Sequence, residues 1–254
     1  MLDNSLEQSA PRERPVPGLA LSFARTPAEV LEAQRLRYRV FAGEFGAKMP
    51  GAAAGIDGDF YDAHCEHLLV RDTRGGEVVG TCRLLPGPRA QRLGSFYADG
   101  EFDLTRLRHL RETTVEIGRS CVHPDYRNGA TITRLWSGVI AYAAQRGYRC
   151  LMGCASLGMA DGGHAAAAIY RSLAGEHLSP VEYRVFPRCG LPLDALGRDA
   201  GAASPPPLVK AYARIGAWIC GAPAWDPDFN TADLLMLLPL SRMNPRYARH
   251  FMQG

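Results

Sequence analysis

VEIGRSCVHPDYRNGATITRLW, from Val115 to Trp136, is the stretch of the sequence that decides the fold. Its first part is apolar and β-branched, and a polar turn with proline, asparagine and glycine follows before a helical pattern begins near Ala130. This order predicts a strand, a turn and a helix whose N-terminus can bind a phosphate. The strand also carries two charged residues, Glu116 and Arg119, among residues that should be buried.

The spacing of Glu116 and Arg119 raises the question of whether they face the same side. Side chains alternate along a strand, so residues three apart should point to opposite faces. The two could share a face only if a bulge intervened, and Gly118 is where a bulge would form most easily. A bulge also frees backbone N–H groups, which could polarise a carbonyl as an oxyanion site does. An internal ion pair beside an ordinary strand–helix turn is the alternative.

The composition is typical of an ordinary globular protein. The 254 residues are 46% hydrophobic and 22% charged, and the net charge of +3 is not concentrated in a basic patch, which argues against nucleic-acid binding. The seven cysteines show no paired zinc spacing, and the sequence around His64–His67 lacks a distant second group of ligands, so no metal site is predicted. No apolar leader or apolar run of ~20 residues is seen. We therefore expect a reduced, cytoplasmic protein.

Strands and helices are predicted to alternate along the rest of the chain. Thr26, Pro27 and Glu29 form a capping box that should start a helix, and the Gly- and Ala-rich stretch 43–58 is expected to be a loop and a candidate lid. Together these elements predict a mixed α/β fold with three layers, α-β-α, around one sheet. The other predicted strands are 19–24, 67–71, 77–85, 149–156, 181–187 and 232–238, and the other predicted helices are 130–147, 164–174 and 205–220.

Several stretches together resemble the GNAT N-acyltransferase superfamily. The opening stretch resembles its acyl-donor region. Four motifs stand in the order seen in acyl-homoserine-lactone synthases and their relatives, the ornithine lipid N-acyltransferases. They are L-R-Y-R-V-F (Leu36–Phe41), D-F-Y-D (Asp59–Asp62), V-G-T-C-R-L-L-P (Val79–Pro86) and V-E-I-G-R-S (Val115–Ser120).

The C-terminal half favours the ornithine lipid enzymes over the lactone synthases. The resemblance covers residues 20–250 and implies a GNAT acyltransferase fold with a C-terminal extension. We expect a disordered tail over 1–18, the acyltransferase core over 19–200, and over 201–254 a helix–strand extension that completes the sheet and ends in a basic tail. The stretches that carry this choice are Gly153–Leu157, Trp225–Asp233 and Asn244–Phe251.

The resemblance implies transfer of a (3-hydroxy)fatty acyl group from acyl carrier protein to the α-amine of L-ornithine. Glu116 is expected to be the base, directly or through a water, and Tyr170 the acid that protonates the leaving thiolate. Core packing is the alternative for Tyr170. The acyl donor and the oxyanion are assigned to Ser120, Cys121, Val122, Arg127, Asn128 and Gly129. Substrate binding is assigned to Arg37, Phe41, Asp59, Asp62, Arg83 and Arg119, although the Asp and Arg residues could instead pair with one another and hold the lid.

The turn Arg127–Ala130 departs from the fuller glycine pattern used with coenzyme A pyrophosphate. This favours a carrier-protein donor, whose arm has a single phosphate, and no resident cofactor is expected. The helix at 208–220 and the basic tail could rest on an anionic membrane surface, although a packed core helix with a solvated tail is favoured. Surface arginines could dock an acidic carrier protein, and the candidates are Arg119, Arg127, Arg134, Arg146 and Arg149.

Three other functions stay open at this point. The first is a lactone synthase that uses S-adenosylmethionine. The second is an N-acyltransferase for another amino acid such as glycine or lysine. The third is a carrier-protein sensor without activity, against which the retained Glu116 argues.

Overall fold

The computed structural model describes residues 18–48, 51–197 and 203–245. Within these residues the strands and α-helices follow one another along the chain as β1 (Leu19–Phe23), α1 (Pro27–Phe45), β2 (Glu66–Asp72), β3 (Val78–Pro86), α2 (Gly87–Leu93), β4 (Phe102–Asp103), β5 (Thr114–Val122), α3 (Ala130–Gln145), β6 (Cys150–Gly158), α4 (His164–His177), β7 (Phe186–Pro187), α5 (Pro207–Ile215), β8 (Trp218–Ile219), β9 (Ala224–Asp226) and β10 (Thr231–Pro239).

One mixed sheet organises the described residues. Its strand order is β1-β2-β3-β5-β6-β10-β8, and β9 pairs with β10. Only the contact between β5 and β6 is parallel, and the other contacts in this sheet are antiparallel. The α/β class predicted from the sequence is therefore confirmed. The short strands β4 and β7 form a separate pair that lies outside this sheet.

Helices cover both faces of the sheet, as the three-layer prediction requires. On one face α3, α4 and α5 bury residues such as Leu135, Ala167 and Val209 in a single core with the strands. On the other face α1 packs over β2 and β5, and the chain from α2 to β5 covers the region of β6 and β10. Each fully buried aliphatic side chain stabilises this arrangement by roughly 1.5–3 kcal/mol. Since α5 buries Val209, Tyr212 and Ile215, it is a packed core helix.

Local sequence signals account for the elements that carry the site. Helix α1 starts at the predicted capping box, in which the hydroxyl of Thr26 accepts the backbone N–H of Glu29. The predicted strands 67–71 and 77–85 are present as β2 and β3, which pair as an antiparallel hairpin. Helix α3 begins at Ala130, directly after Gly129, whose φ of +89° is in the left-handed region that glycine adopts at little cost.

Three predicted boundaries are wrong. The predicted helix 205–220 stops at Ile215 because Gly216 has a φ of +105° and lies against the backbone of Arg242; the chain then continues as β8. The predicted strand 181–187 is a 3-10 turn at Val181–Tyr183 followed by the two-residue β7, since only Phe186 and Pro187 find a strand partner. The predicted loop 43–58 begins later, because α1 continues to Phe45.

Some predictions fall on residues that the structure does not describe. They are the N-terminal tail up to residue 17, the stretch 198–202 at the expected boundary between the core and the extension, and the basic tail from 246 onward. Among the described helices, none combines the length and the apolar character that a bilayer-spanning segment needs.

Candidate active site

The candidate active site is a cavity of about 190 Å³ at the point where β5 and β6 diverge. The parallel pairing of these strands ends at Glu116 and Met152, so the residues that follow open a gap inside the sheet. Polar side chains reach this gap from several elements. They include Glu116, Arg119 and Ser120 from β5, Ser156 from β6, Asp233 from β10 and Tyr212 from α5.

A β-bulge brings Glu116 and Arg119 to the same cavity. The register between β3 and β5 jumps from Thr81–Cys121 to Arg83–Gly118, which leaves Arg119 and Ser120 opposite Cys82. Arg119 has a φ of +51°, a conformation that costs a non-glycine residue roughly 1–3 kcal/mol. The bulge expected near Gly118 is thus present one residue later. It leaves one residue out of the ladder, as an oxyanion site formed by backbone N–H groups requires.

Glu116 is a buried carboxylate with defined partners. Its side chain is 4% exposed, and its two oxygens accept the backbone N–H groups of Tyr97 and Ala98, each at 2.8 Å. Burial raises the pKa of Glu116 to about 7, although the two N–H groups and Arg83 partly oppose this shift. A carboxyl group with a pKa near neutrality suits a general base at physiological pH. The sequence did not indicate that the turn at 97–98 would hold this carboxylate.

An arginine–aspartate network lies beside Glu116. Arg37 contacts Asp57 at 2.9 Å and Asp62 at 2.8 Å, and Arg83 contacts Asp59 at 2.5 Å and Asp62 at 2.9 Å. Burial alone would raise the pKa of Asp62, but Arg37 and Arg83 outweigh it and hold that pKa well below its usual range. The network joins α1, the segment 57–62 and β3. Its members are Arg37, Arg83, Arg119, Asp57, Asp59 and Asp62.

Arg119 completes this network and also faces the cavity. Its Nε lies 3.2 Å from Asp57 without hydrogen-bond geometry, and its Nη2 donates to Asp59 at 3.4 Å. The guanidinium is stacked near the rings of Tyr97 and Phe229, at 4.9 Å and 4.5 Å from their centroids. These contacts hold the strained residue in place.

The predicted substrate-binding residues differ in how they meet the cavity. Phe41, Arg83 and Arg119 line it, whereas Arg37 is 1% exposed and lies behind it. Asp59 and Asp62 belong to the network and not to the cavity lining. The Asp and Arg residues therefore pair with one another, as the alternative interpretation of the sequence expects. The network also includes Asp57, which sequence reasoning did not select.

The residues predicted to hold the acyl donor do not all line the cavity. Ser120 lines the cavity, whereas Cys121 points to the other face and packs near α1, where burial raises the pKa of its thiol to about 12. Val122 packs against the main core. A thiol with this pKa is a poor nucleophile, in agreement with the absence of any assigned covalent role.

The turn after β5 uses its polar groups to build the start of α3. The guanidinium of Arg127 donates to the carbonyl of Val122 at 3.1 Å and pairs with Glu44. The Oδ1 atom of Asn128 accepts the backbone N–H of Ala130 at 3.0 Å. Neither Arg127, Asn128 nor Gly129 lines the cavity, so their donor-binding role stays a prediction.

Tyr170 is not among the residues that line the cavity. It lies on α4 and packs against the main core, where burial raises its pKa. The tyrosines that line the cavity are Tyr61, Tyr97 and Tyr212. Tyr212 could not be selected from the sequence, since its helix was interpreted only as a core or membrane-surface helix.

The cavity combines the parts that acyl transfer to an amine needs. Glu116 can accept a proton, the bulge takes Arg119 and Ser120 out of regular pairing with β3, and apolar side chains such as Leu85 and Leu208 line the rest of the wall. No covalent intermediate is required for this chemistry, because a free amine attacks a thioester directly once it has lost its proton.

Comparisons with known proteins agree with this geometry. Residues 36–137 match the family model described as an acetyltransferase (GNAT) domain. The L-ornithine N(alpha)-acyltransferase of Rhizobium meliloti (strain 1021) is 36% identical over 253 residues, covering 93% of this chain and 85% of that protein. The enzyme of the same name from Brucella abortus (strain 2308) is 34% identical over 248 residues, covering 92% and 88%.

Solved structures share the fold at low sequence identity. The CoA-dependent acyl-homoserine lactone synthase MesI superposes with a TM-score of 0.51 at 14% identity, covering 91% of this chain and 94% of that chain. At this identity the likeness concerns the fold alone. Together with the match to the acetyltransferase (GNAT) family model, this shared fold confirms the GNAT-type architecture expected from the motifs.

Proposed function

The chain belongs to the L-ornithine N(alpha)-acyltransferase family, and from this premise we propose that it transfers a fatty acyl group to the α-amine of L-ornithine. The acyl group, 3-hydroxylated or not, arrives as a thioester on an acyl carrier protein. In the reaction the thioester C–S bond breaks, an amide C–N bond forms, and the products are lyso-ornithine lipid and the free carrier thiol.

The observation that carries this proposal is the buried carboxylate of Glu116 at the gap between β5 and β6. The α-ammonium of ornithine gives a proton to Glu116, directly or through a water, and the neutral amine then attacks the acyl carbonyl. Backbone N–H groups at the Arg119–Ser120 bulge stabilise the oxyanion. When the tetrahedral intermediate collapses, the proton held by Glu116 passes to the leaving thiolate, and the nitrogen gives up its second proton to the emptied carboxylate or to water.

The acceptor carboxylate is proposed to lie against Arg83 and Arg119. These are the members of the arginine–aspartate network that line the cavity, and guanidinium groups bind carboxylates in a planar, bidentate manner. Arg37 is proposed to hold the segment 57–62 in place through its contacts with Asp57 and Asp62.

The acyl donor is proposed to be a carrier protein, with no resident cofactor on this chain. Of the five arginines expected to dock it, Arg134 is buried and Arg119 faces the cavity with a side chain that is 12% exposed, so neither belongs to the docking surface. Arg127, Arg146 and Arg149 are exposed, although Arg127 pairs with Glu44. The exposed residues supply the positive charge that an acidic carrier protein would meet.

Location stays a prediction. We propose that the reaction takes place in the cytoplasm, and contact of the basic C-terminal tail with the inner membrane surface stays the alternative to a solvated tail. Arg242, the described residue of that tail, is stacked on Trp218 with its guanidinium carbon 4.2 Å from the ring centroid.

A panel of acceptors tests the proposed function. Purified protein is mixed with 3-hydroxyacyl carrier protein and, separately, with ornithine, lysine, glycine or S-adenosylmethionine, and the free thiol and the N-acyl product are measured. Ornithine-dependent release that falls by ~10²-fold or more in Glu116→Gln supports the proposal. Glu112→Gln is the matched control, since Glu112 is exposed just before β5.

Each contrary outcome of that panel identifies a different function. Release with S-adenosylmethionine alone means a lactone synthase. Release that requires glycine or lysine means another amino acid acceptor. Tight binding of the acyl carrier protein without release from any acceptor means a sensor.

A further inference from the structure

An acidic cluster at the cavity has no role in the mechanism above. It consists of Glu101, Asp226 and Asp233. Asp226 and Asp233 line the cavity, and the Sγ atom of Cys154 and one carboxylate oxygen each of Glu101 and Asp233 all lie within 4.8 Å of one another. The sequence offered only a general signal, because Asp226 and Asp233 belong to the W-D-P-D-F-N-T-A-D stretch noted for its family resemblance.

No basic side chain neutralises this cluster. None of the salt bridges between residues in the described ranges includes Glu101, Asp226 or Asp233. Arg188 lines an adjoining groove with Glu101 and Asp226, but its Nε–H donates to the backbone carbonyl of Asp99 at 2.7 Å. The cluster therefore differs from the arginine–aspartate network, in which each carboxylate has a guanidinium partner.

Asp233 and Glu101 also have buried carboxylate oxygens without a hydrogen-bond partner, although Ser156 lies close to Asp233 and Cys154 lies close to Glu101. Asp233 is 4% exposed, and its buried Oδ1 atom accepts no hydrogen bond. Both carboxylate oxygens of Glu101 are buried and unpaired in the same way. Burial first, and then the negative charge of the neighbouring Asp233, raise the pKa of Glu101 to about 9. Buried carboxyl groups with unpaired oxygens and no basic neighbour are stabilised by a cation that supplies both positive charge and hydrogen-bond donors.

The acidic cluster lies at a distance from Glu116 that suits the side-chain amine of a diamino acid acceptor. The 3-10 turn Tyr97–Gly100 links the two sites: its Ala98 N–H binds Glu116, and Glu101 follows directly after it. At ~2.0 Å per residue of a 3-10 helix, Ala98 and Glu101 are separated by ~6 Å along the turn. A flexible diamino acid can therefore place its α-amine near Glu116, directly or through a water, and its side-chain amine near Glu101.

We propose that Glu101 and Asp233 bind the side-chain ammonium of the amino acid acceptor, with Asp226 adding negative charge at the cavity wall. The cluster thereby selects a diamino acid over an acceptor with a neutral side chain. This inference rests on the proposed function, because it names the residues that recognise the acceptor of that reaction.

The energetic basis of this selection is the cost of leaving the acids unpaired. An ammonium group brings three donors and one positive charge to the cluster. A methyl group of similar size brings neither, and a site built around polar partners rejects such an analogue strongly. Norleucine is the matched analogue, since it carries a methyl group where ornithine carries the ammonium.

The test compares kcat and KM for ornithine and norleucine in thiol release from acyl carrier protein. Wild type is expected to prefer ornithine by at least ~10²-fold in kcat/KM. Asp233→Asn and Glu101→Gln should each reduce this preference by at least ~10-fold, through a higher KM for ornithine, while norleucine turnover is retained. Asp228→Asn is the control, because Asp228 is exposed in the same segment as Asp226 and Asp233.

Retained norleucine turnover shows that the variants are folded and that Glu116 still acts. Glu101→Gln provides a second variant at a less buried position if Asp233→Asn does not fold. An unchanged ornithine preference in the folded variants overturns the inference and leaves the proposed function intact. Loss of the preference after dialysis against EDTA, with recovery on adding Zn²⁺, also overturns it, since the cluster would then hold a metal. If wild type releases no thiol from acyl carrier protein with any acceptor, the proposed function itself is wrong.

Discussion

Replacing Glu116 with glutamine should change how the stability of the protein depends on pH. In the folded protein burial raises the pKa of Glu116 from an ordinary 4.5 to about 7. The unfolded chain therefore ionises this group at lower pH than the folded protein does. Between pH 4.5 and 7 the free energy of unfolding of wild type should fall as pH rises, and the Glu116 contribution should level off above pH 7.

The size of this effect follows from the pKa difference. Each pKa unit corresponds to 1.36 kcal/mol, so the shift of Glu116 is worth about 3 kcal/mol of unfolding free energy. Glutamine cannot titrate, but its NH₂ group would face one of the N–H groups of Tyr97 and Ala98. This mismatch costs about 1–3 kcal/mol at every pH. The destabilisation of Glu116→Gln relative to wild type should therefore shrink by about 3 kcal/mol from pH 4.5 to pH 8.

Urea unfolding of both proteins at half-unit steps of pH measures this difference. Taking wild type minus variant cancels the titration of other groups, such as Glu101, whose pKa is also raised. A difference that stays constant across the range would refute the reasoning, because it would mean that Glu116 titrates normally in the folded protein.

Three further predictions concern other residues. Arg37→Met should lower the free energy of unfolding by about 3–5 kcal/mol in urea titrations, because it removes the hydrogen-bonded partner of buried Asp57 and one of the two guanidinium partners of Asp62. Arg39→Met, on the exposed side of the same helix, should leave the free energy of unfolding nearly unchanged, and equal effects of the two substitutions would contradict the role of the network. Tyr170→Phe should keep the rate of thiol release within about threefold, since Tyr170 lies outside the cavity lining, and a loss of ~10²-fold would restore it as the proton donor. Arg149→Glu should lower kcat/KM for acyl carrier protein by about tenfold at low salt, because it reverses an exposed charge on the proposed docking surface. The kcat/KM for an acyl-pantetheine thioester should stay unchanged, and an equal loss of kcat/KM with both donors would exclude a docking role.

The elements that local signals define were predictable from the sequence. The capping box at Thr26 starts α1, and the alternating strands around the 72–76 turn form the β2–β3 hairpin. The bulge was also predictable within one residue, because only an irregular strand could bring Glu116 and Arg119 to one face. Each of these features depends on neighbouring residues, so a single sequence contains the information.

Features that depend on contacts between distant segments were not predictable in the same way. Asp57 and Asp233 differ from other acidic residues only in what packs around them, which the chain order does not reveal. The end of α5 depends on the approach of Arg242 to Gly216. Similarly, the backbone hydrogen bonds from Tyr97 and Ala98 to the Glu116 carboxylate could not be predicted, because these residues are separated from Glu116 by 19 and 18 positions across an irregular segment.

The pH dependence of kcat at saturating ornithine and acyl carrier protein tests the central claim most directly. Because kcat reports the ionisation of the enzyme–substrate complex, a base at Glu116 predicts a rise of tenfold per pH unit below the pKa that Glu116 has in that complex, and a plateau above it. Glu116→Gln should lower kcat by ~10²–10⁴-fold and lack this inflection. A variant that keeps the kcat of wild type with the same inflection would contradict the account.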